Sequence, residues 1–209
     1  MIHLIGNSHI TAFSNLPSPP CWLDFSNALF KPTHLGGITA YTFYENHMPF
    51  IREYILKIDK EKDWLCFIAG EVDCRVHIPI QKQKQGKSYE EIIKEVIERY
   101  FKIYKEVKEA GYKTFVFGAH PPSTLEFRAD KPDIVISETY QVRKKITIEW
   151  NQQIMHVCNA NNIPFVNIYD KLVDENNDTK MEYLWDYCHL QPIKVYDFIL
   201  TELRRFNII

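Results

Sequence analysis

The chain has 209 residues, 45% of them hydrophobic and 14% aromatic, with a formal net charge of −2. That length and composition suit one globular domain over residues 1–209 and exclude a disordered chain. The near-balanced charge gives no reason to expect a nucleic-acid partner, and no apolar run approaches the roughly 20 residues that cross a bilayer.

The first stretch, "MIHLIGNSH", opens on an apolar run at 2–6 rather than on the basic, apolar and small-residue succession of a secretory leader. Further short apolar runs follow at 64–70 (WLCFIAG), 114–119 (TFVFGA) and 163–169 (IPFVNIY), with a weaker candidate in 26–34. Such runs suit strands buried on both faces, as in a parallel sheet. Between them lie helical patterns over 40–58, 88–110, 138–161 and 192–206. In the second of these, Ile92, Val96, Tyr100, Ile103 and Val107 recur at helical spacing. Ser88 with Glu91 forms a capping box, Gly111 a stop, and Pro192 a helix start. Residues 77–87 (HIPIQKQKQGK) and the proline-rich 119–137 read as long loops.

Strands alternating with helices imply right-handed crossovers and a three-layer α/β/α sandwich around a parallel sheet of about five strands. Ligands of such sheets bind beyond the carboxyl ends of the strands. Ser8, the segment Glu71 to Arg75, and His120 all fall there, so chemistry-capable residues collect on one rim.

A serine hydroxyl needs a base to take its proton and a third group to orient that base. The stretch "WDYCHLQP" supplies both, with Asp186 and His189 three residues apart. At that spacing a turn brings the carboxylate to the imidazole Nδ1 and leaves Nε2 to face the rim. The competing reading of Ser8 is a helix cap.

Four stretches, "IGNSH", "GGITA", "GEVDCR" and "DYCHL", resemble in order the four sequence blocks of the SGNH/GDSL hydrolases, over positions 6 to 189. The resemblance is strongest to a bacterial subgroup with a G-E-[IV]-D-C-R third block. It implies a flavodoxin-like strand order 2-1-3-4-5, with Ser8 as nucleophile, His189 as general base and acid, and Asp186 as the orienting carboxylate. It also implies that the Gly37 backbone N–H helps to hold the oxyanion, with the Ser8 N–H as a further donor.

Two positions depart from the family pattern. Asn7 stands where Asp is usual. Val72 stands where the third block carries an Asn whose side chain donates to the oxyanion, and valine donates nothing. Arg75 is the one strong replacement nearby, suited to the oxyanion or to a substrate carboxylate; alternatively Glu71, Asp73 and Arg75 form a buried ion network. His120 is a candidate substrate contact. His9 either lines the pocket or lies on a helix surface. Lys82, Lys84 and Lys87 read as a solvated loop, and Cys188 as a small packing residue.

The five cysteines include no C-x-x-C pair and no Cys/His cluster at zinc spacing. Free thiols in a reducing, cytoplasmic compartment are therefore expected, with no resident metal and no cofactor. His77 lies four residues after Asp73, a spacing that permits a metal pair, but further ligands are lacking. The expected function is a serine esterase acting on a small-molecule or glycan ester, such as an O-acylated carbohydrate. Two rivals share the fold: an acyltransferase using the same residues, and a degenerate glycan- or partner-binding protein. A third reading, a metallophosphoesterase, rests on a superficial likeness of "GNSH" and "GEVDCR" to that class's blocks; the block order speaks against it, since that chemistry needs D-x-H on the first strand and G-N-H later.

Overall fold

The computed structural model describes residues 1–17, 25, 27–125 and 138–209. Five strands form one parallel sheet: β1 (Ile2–Gly6), β2 (Phe30–His34), β3 (Trp64–Ile68), β4 (Lys113–Phe117) and β5 (Phe165–Val166), in the order β2-β1-β3-β4-β5. The helices are α1 (Ala40–Ile55), α2 (Ile78–Gln85), α3 (Tyr89–Glu109), α4 (Tyr140–Ala160) and α5 (Pro192–Arg205).

The period of two along each strand divides the core. Ile5, Leu65, Phe67 and Val116 face one side, where they pack with Phe43 and Ile51 of α1, Val96, Tyr100 and Ile103 of α3, and Trp150 and Ile154 of α4. Leu4, Cys66, Ile68, Phe115, Phe117 and Val166 face the other, against Ile10 and Phe13 of a 3-10 helix (Ser8–Phe13) and Val195, Ile199 and Leu203 of α5. Three layers result, as the alternating pattern predicts.

Register places the site. Gly6 pairs with His34 on one side and Ile68 on the other, so β1, β2 and β3 end level with one another. The residues just beyond those ends, Ser8, Gly37 and Glu71, therefore share a rim. Gly6 is glycine because the strands close tightly there: a Cβ would lie 2.3 Å from the Ile68 carbonyl oxygen.

One sequence expectation changes. Residues 77–87 are not a loop. A wide π-type turn (Asp73–His77) leads into α2, which has proline in its first turn and ends at Gly86 in the left-handed conformation. Glutamine and lysine are good helix formers, but α2 has too little apolar periodicity to announce itself. Of the 119–137 loop, residues 119–125 carry no helix or strand, and 126–137 lie outside the described residues, as do Cys21 and residue 26. No helix among the described residues is long and apolar enough to cross a membrane.

Candidate active site

The chain turns sharply after β1, and Asn7, not Ser8, caps the 3-10 helix. Its Oδ1 accepts from the His9 N–H at 3.1 Å, while its Nδ2 donates to the Ile38 carbonyl at 3.3 Å. Asn7 is 1% exposed. It serves as a strut between the Ser8 turn and the Gly36–Gly37 loop, and the Leu35 N–H bond to the Gly6 carbonyl at 2.8 Å reinforces that junction. Ser8 is thereby free of capping duty, half-buried at the rim.

The Ser8 hydroxyl lies 2.7 Å from His189 Nε2, although 181 positions separate them. His189 Nδ1 lies 2.9 Å from Asp186 Oδ2. The other carboxylate oxygen, Oδ1, accepts the backbone N–H groups of Cys188 at 2.8 Å and His189 at 2.7 Å. One aspartate thus folds the turn and orients the imidazole, and an antiparallel bridge between Leu184 and Leu190 closes the loop's base. Burial would raise the Asp186 carboxyl. Its bonds from His189 and the two N–H groups outweigh that and hold it well below the usual carboxylate range. An ionised Asp186 fixes the proton on Nδ1, so Nε2 accepts from Ser8 Oγ–H.

The third block behaves differently. Asp73 is fully buried and accepts the Ala40 and Tyr41 N–H groups at 2.6 and 3.2 Å. It anchors the start of α1 and takes no place in a substrate pocket, contrary to its candidacy. Burial pushes it up to about 6 despite those donors. Nor is it part of an ion network with Glu71 and Arg75. Those two pair with each other, Arg75 Nε to Glu71 Oε1 at 2.7 Å and a second guanidinium nitrogen to Oε2 at 3.2 Å. Arg75 is therefore bound bidentately by Glu71, which braces it, and it lies within charge reach of Asp186 and Cys188. Burial acts to raise Glu71, but Arg75 and His9 hold it well below its ordinary value. Val72 is half-buried and offers no donor. Gly37 is exposed in its loop, as an oxyanion donor requires.

His9 is 7% exposed, so it is not on a helix surface; with Glu71, His120 and Leu190 it lines a small pocket. Its Nε2 meets Glu71 Oε2 at 2.9 Å, and its ring stacks on that of His189 at 4.9 Å between centroids and 30° between planes. His120 is also buried. Its Nδ1 donates to the Pro121 carbonyl at 2.9 Å and its Nε2 lies 3.4 Å from His9 Nδ1, so it backs His9 and does not reach the rim. Its sequence position at the end of β4 is at the rim; its ring is not.

His77 lies against Tyr41, ring centroids 4.5 Å apart, and does not group with Asp73 as a metal-capable set among the described residues. One metal-capable grouping occurs among the described residues: Asp186, Cys188 and His189, whose ligand atoms lie within 4.8 Å of one another. A cation there would displace the Nδ1 proton that joins His189 to Asp186. Cys188 Sγ sits 3.3 Å from that nitrogen, and burial pushes the thiol far above its ordinary value, so it is inert as a nucleophile. Cys66, Cys74 and Cys158 are free thiols as well. A groove of about 600 Å³ between α3 and α4, beside Phe101, Lys105 and Val157, contains no nucleophile with a base.

No family model matches the chain, and no curated protein matches it. Solved structures do. A GDSL-like lipase from Bacteroides thetaiotaomicron VPI-5482 superposes over 98% of this chain and 86% of its own, at 18% identity and TM-score 0.60. An acetylxylan esterase from Geobacillus stearothermophilus matches over 97% and 93%, at 12% identity and TM-score 0.57. An aryl esterase from M. smegmatis matches over 99% and 98%, at 12% identity and TM-score 0.56. The strand order, the coverage of nearly the whole chain and the company of these structures agree: the chain has the fold of the SGNH/GDSL hydrolases.

Proposed function

We propose that the protein is a serine hydrolase that cleaves carboxylic esters, with O-acetylated carbohydrate as the substrate class. The observation that carries this reading is the continuous hydrogen-bonded line from Ser8 through His189 to Asp186, in nucleophile, base and orienter distances. The fold it shares with structures described as acetylxylan and aryl esterases supports the substrate class.

In this reading Ser8 Oγ attacks the ester carbonyl while its proton passes to His189 Nε2. The carbonyl oxygen becomes an oxyanion held by the Ser8 and Gly37 N–H groups. Asp186 stabilises the imidazolium. The intermediate collapses, the alcohol leaves with the proton from His189, and an acyl group stays on Ser8. Water, deprotonated by the same imidazole, then attacks and releases a carboxylic acid. A sugar hydroxyl in place of that water would give acyl transfer with the same groups. Val72 supplies no third oxyanion donor and Arg75 is engaged by Glu71, which predicts a modest rate, about a hundredfold below a site with all donors.

A panel of p-nitrophenyl esters and acetylated sugars tests the reading, with Ser8→Ala as control. Acetate release by the wild type and none by Ser8→Ala is the expected result. Binding of glycans without turnover by either protein would favour the non-catalytic alternative.

A further inference from the structure

We infer that His9 is a positioning residue for the His189 imidazole: it presents its flat ring to the face of the base, and Glu71 and Arg75 hold it there. The inference rests on the reading of His189 as general base.

The two in-plane bonds of His189, to Ser8 and to Asp186, fix its nitrogens but leave the ring a roll about the axis through them. A flat neighbour on one face removes that freedom. His9 is that neighbour, stacked at 4.9 Å and 30°. It follows Ser8 in sequence, so the nucleophile and the support move as one piece of backbone. A buried imidazole needs a partner to stay in place. Glu71 provides it at Nε2, and the bidentate grip of Arg75 on Glu71 leaves the carboxylate little room to swing.

The charges facing His9 come from every side that packs on it: Glu71 beyond β3, with Arg75 behind it; His120 beyond β4; and His189 in the C-terminal turn. Ionised Glu71 accepts a hydrogen bond from His9 Nε2–H, and Arg75 balances its charge. Glu71 favours a charged His9, but burial outweighs it and lowers the ring to about 4, so His9 is uncharged at neutral pH. An uncharged ring does not oppose the positive charge that His189 gains when Ser8 attacks, whereas an imidazolium would. This also accounts for Glu71 and Arg75 being turned inward: they support the base from behind.

The test measures the second-order rate of Ser8 labelling by a fluorophosphonate across the neutral and mildly acidic range. Wild type is compared with His9→Phe, which keeps a flat ring, and with His9→Ala and His9→Leu, which do not. Near-UV circular dichroism reports the folded fraction of each. We expect His9→Ala and His9→Leu to lose about tenfold or more in the plateau rate and to shift the acid limb, with His9→Phe within about threefold of wild type. Should His9→Ala fail to fold, His9→Leu against His9→Phe carries the comparison. Folded His9→Leu with the wild-type rate and limb overturns the inference, as does His9→Phe performing no better than His9→Leu. A wild type that takes no label at Ser8 sinks the esterase reading itself, a distinct failure.

Discussion

The turn from Asp186 to His189 and the stretch from Glu71 to Arg75 both bring carboxylates to the same end of the sheet, and they spend them in opposite directions. Asp186 is 17% exposed at its side chain and faces outward through His189. Glu71 and Asp73 are buried and face inward, one to a histidine and an arginine, the other to the start of α1. Proximity to a strand end places a residue near the chemistry; its partners decide whether it meets substrate. Carboxylates with protein donors on all sides hold the fold, and in the proposed function the one whose partner is itself open to the rim serves the reaction.

That contrast predicts different losses. The largest belongs to the outward-facing turn. Asp186→Asn removes the charge that fixes the Nδ1 proton and stabilises the imidazolium, so kcat should fall about 10³- to 10⁴-fold. The melting temperature should move little beyond the cost of weakening two N–H bonds. A melting loss without that kinetic loss would erase the distinction between the two regions.

Arg75→Met should behave in the reverse manner. It leaves the buried Glu71 carboxylate with His9 alone, a loss of about 3 kcal/mol for breaking a buried pair. The folded fraction should keep kcat/KM within about tenfold. A hundredfold fall in kcat/KM with an unchanged melting temperature would instead put the guanidinium on the substrate.

Histidines should also make stability sensitive to acid. His3, His9, His34, His47, His77 and His120 are each held below the ordinary histidine value, in each case chiefly by full or partial burial. Below about pH 6.5 the unfolded chain protonates these rings before the native protein does. The unfolded state then binds more protons, so stability rises with pH in this window and is lost on acidification toward about 4. His9 alone contributes on the order of 3 kcal/mol across that interval. Asp73 opposes the trend, since its value of about 6 lies above that of an unfolded carboxyl and the native state takes its proton first. Six rings against one carboxyl predict a net fall in melting temperature from about pH 7 to 5, read by calorimetry. A flat or rising curve would contradict the uncharged state of these histidines.

The smallest effect is at Asp73→Asn. An amide keeps one acceptor for the α1 N–H groups and sheds a buried charge, so the expected loss is about 1 kcal/mol with unchanged turnover. A large kinetic loss here would return Asp73 to the pocket.

How far the sequence reached follows from the range of each interaction. The runs at 2–6, 64–70 and 114–119 announced β1, β3 and β4 because strands buried on both faces need apolar residues throughout. The Asp186–His189 pair was legible because its geometry is that of one local turn. His9 was not: its partners lie 62, 111 and 180 positions away, and nothing in its immediate neighbourhood separates a buried ring from an exposed one. Arg75 had two readings in the sequence, and its spacing of four from Glu71 on one continuous turn favours the brace. Asp73 looked like a site residue for want of any sign that α1 would begin beside it.

The central claim is that Ser8, activated by His189, is a nucleophile. Intact-protein mass spectrometry after exposure to a fluorophosphonate tests it most directly, on wild type, Ser8→Ala and His189→Ala. The account predicts one adduct on the wild type, mapped to Ser8, none on Ser8→Ala, and labelling of His189→Ala slowed by about a thousandfold or more. An unlabelled wild type, or an adduct that persists in Ser8→Ala, would contradict it.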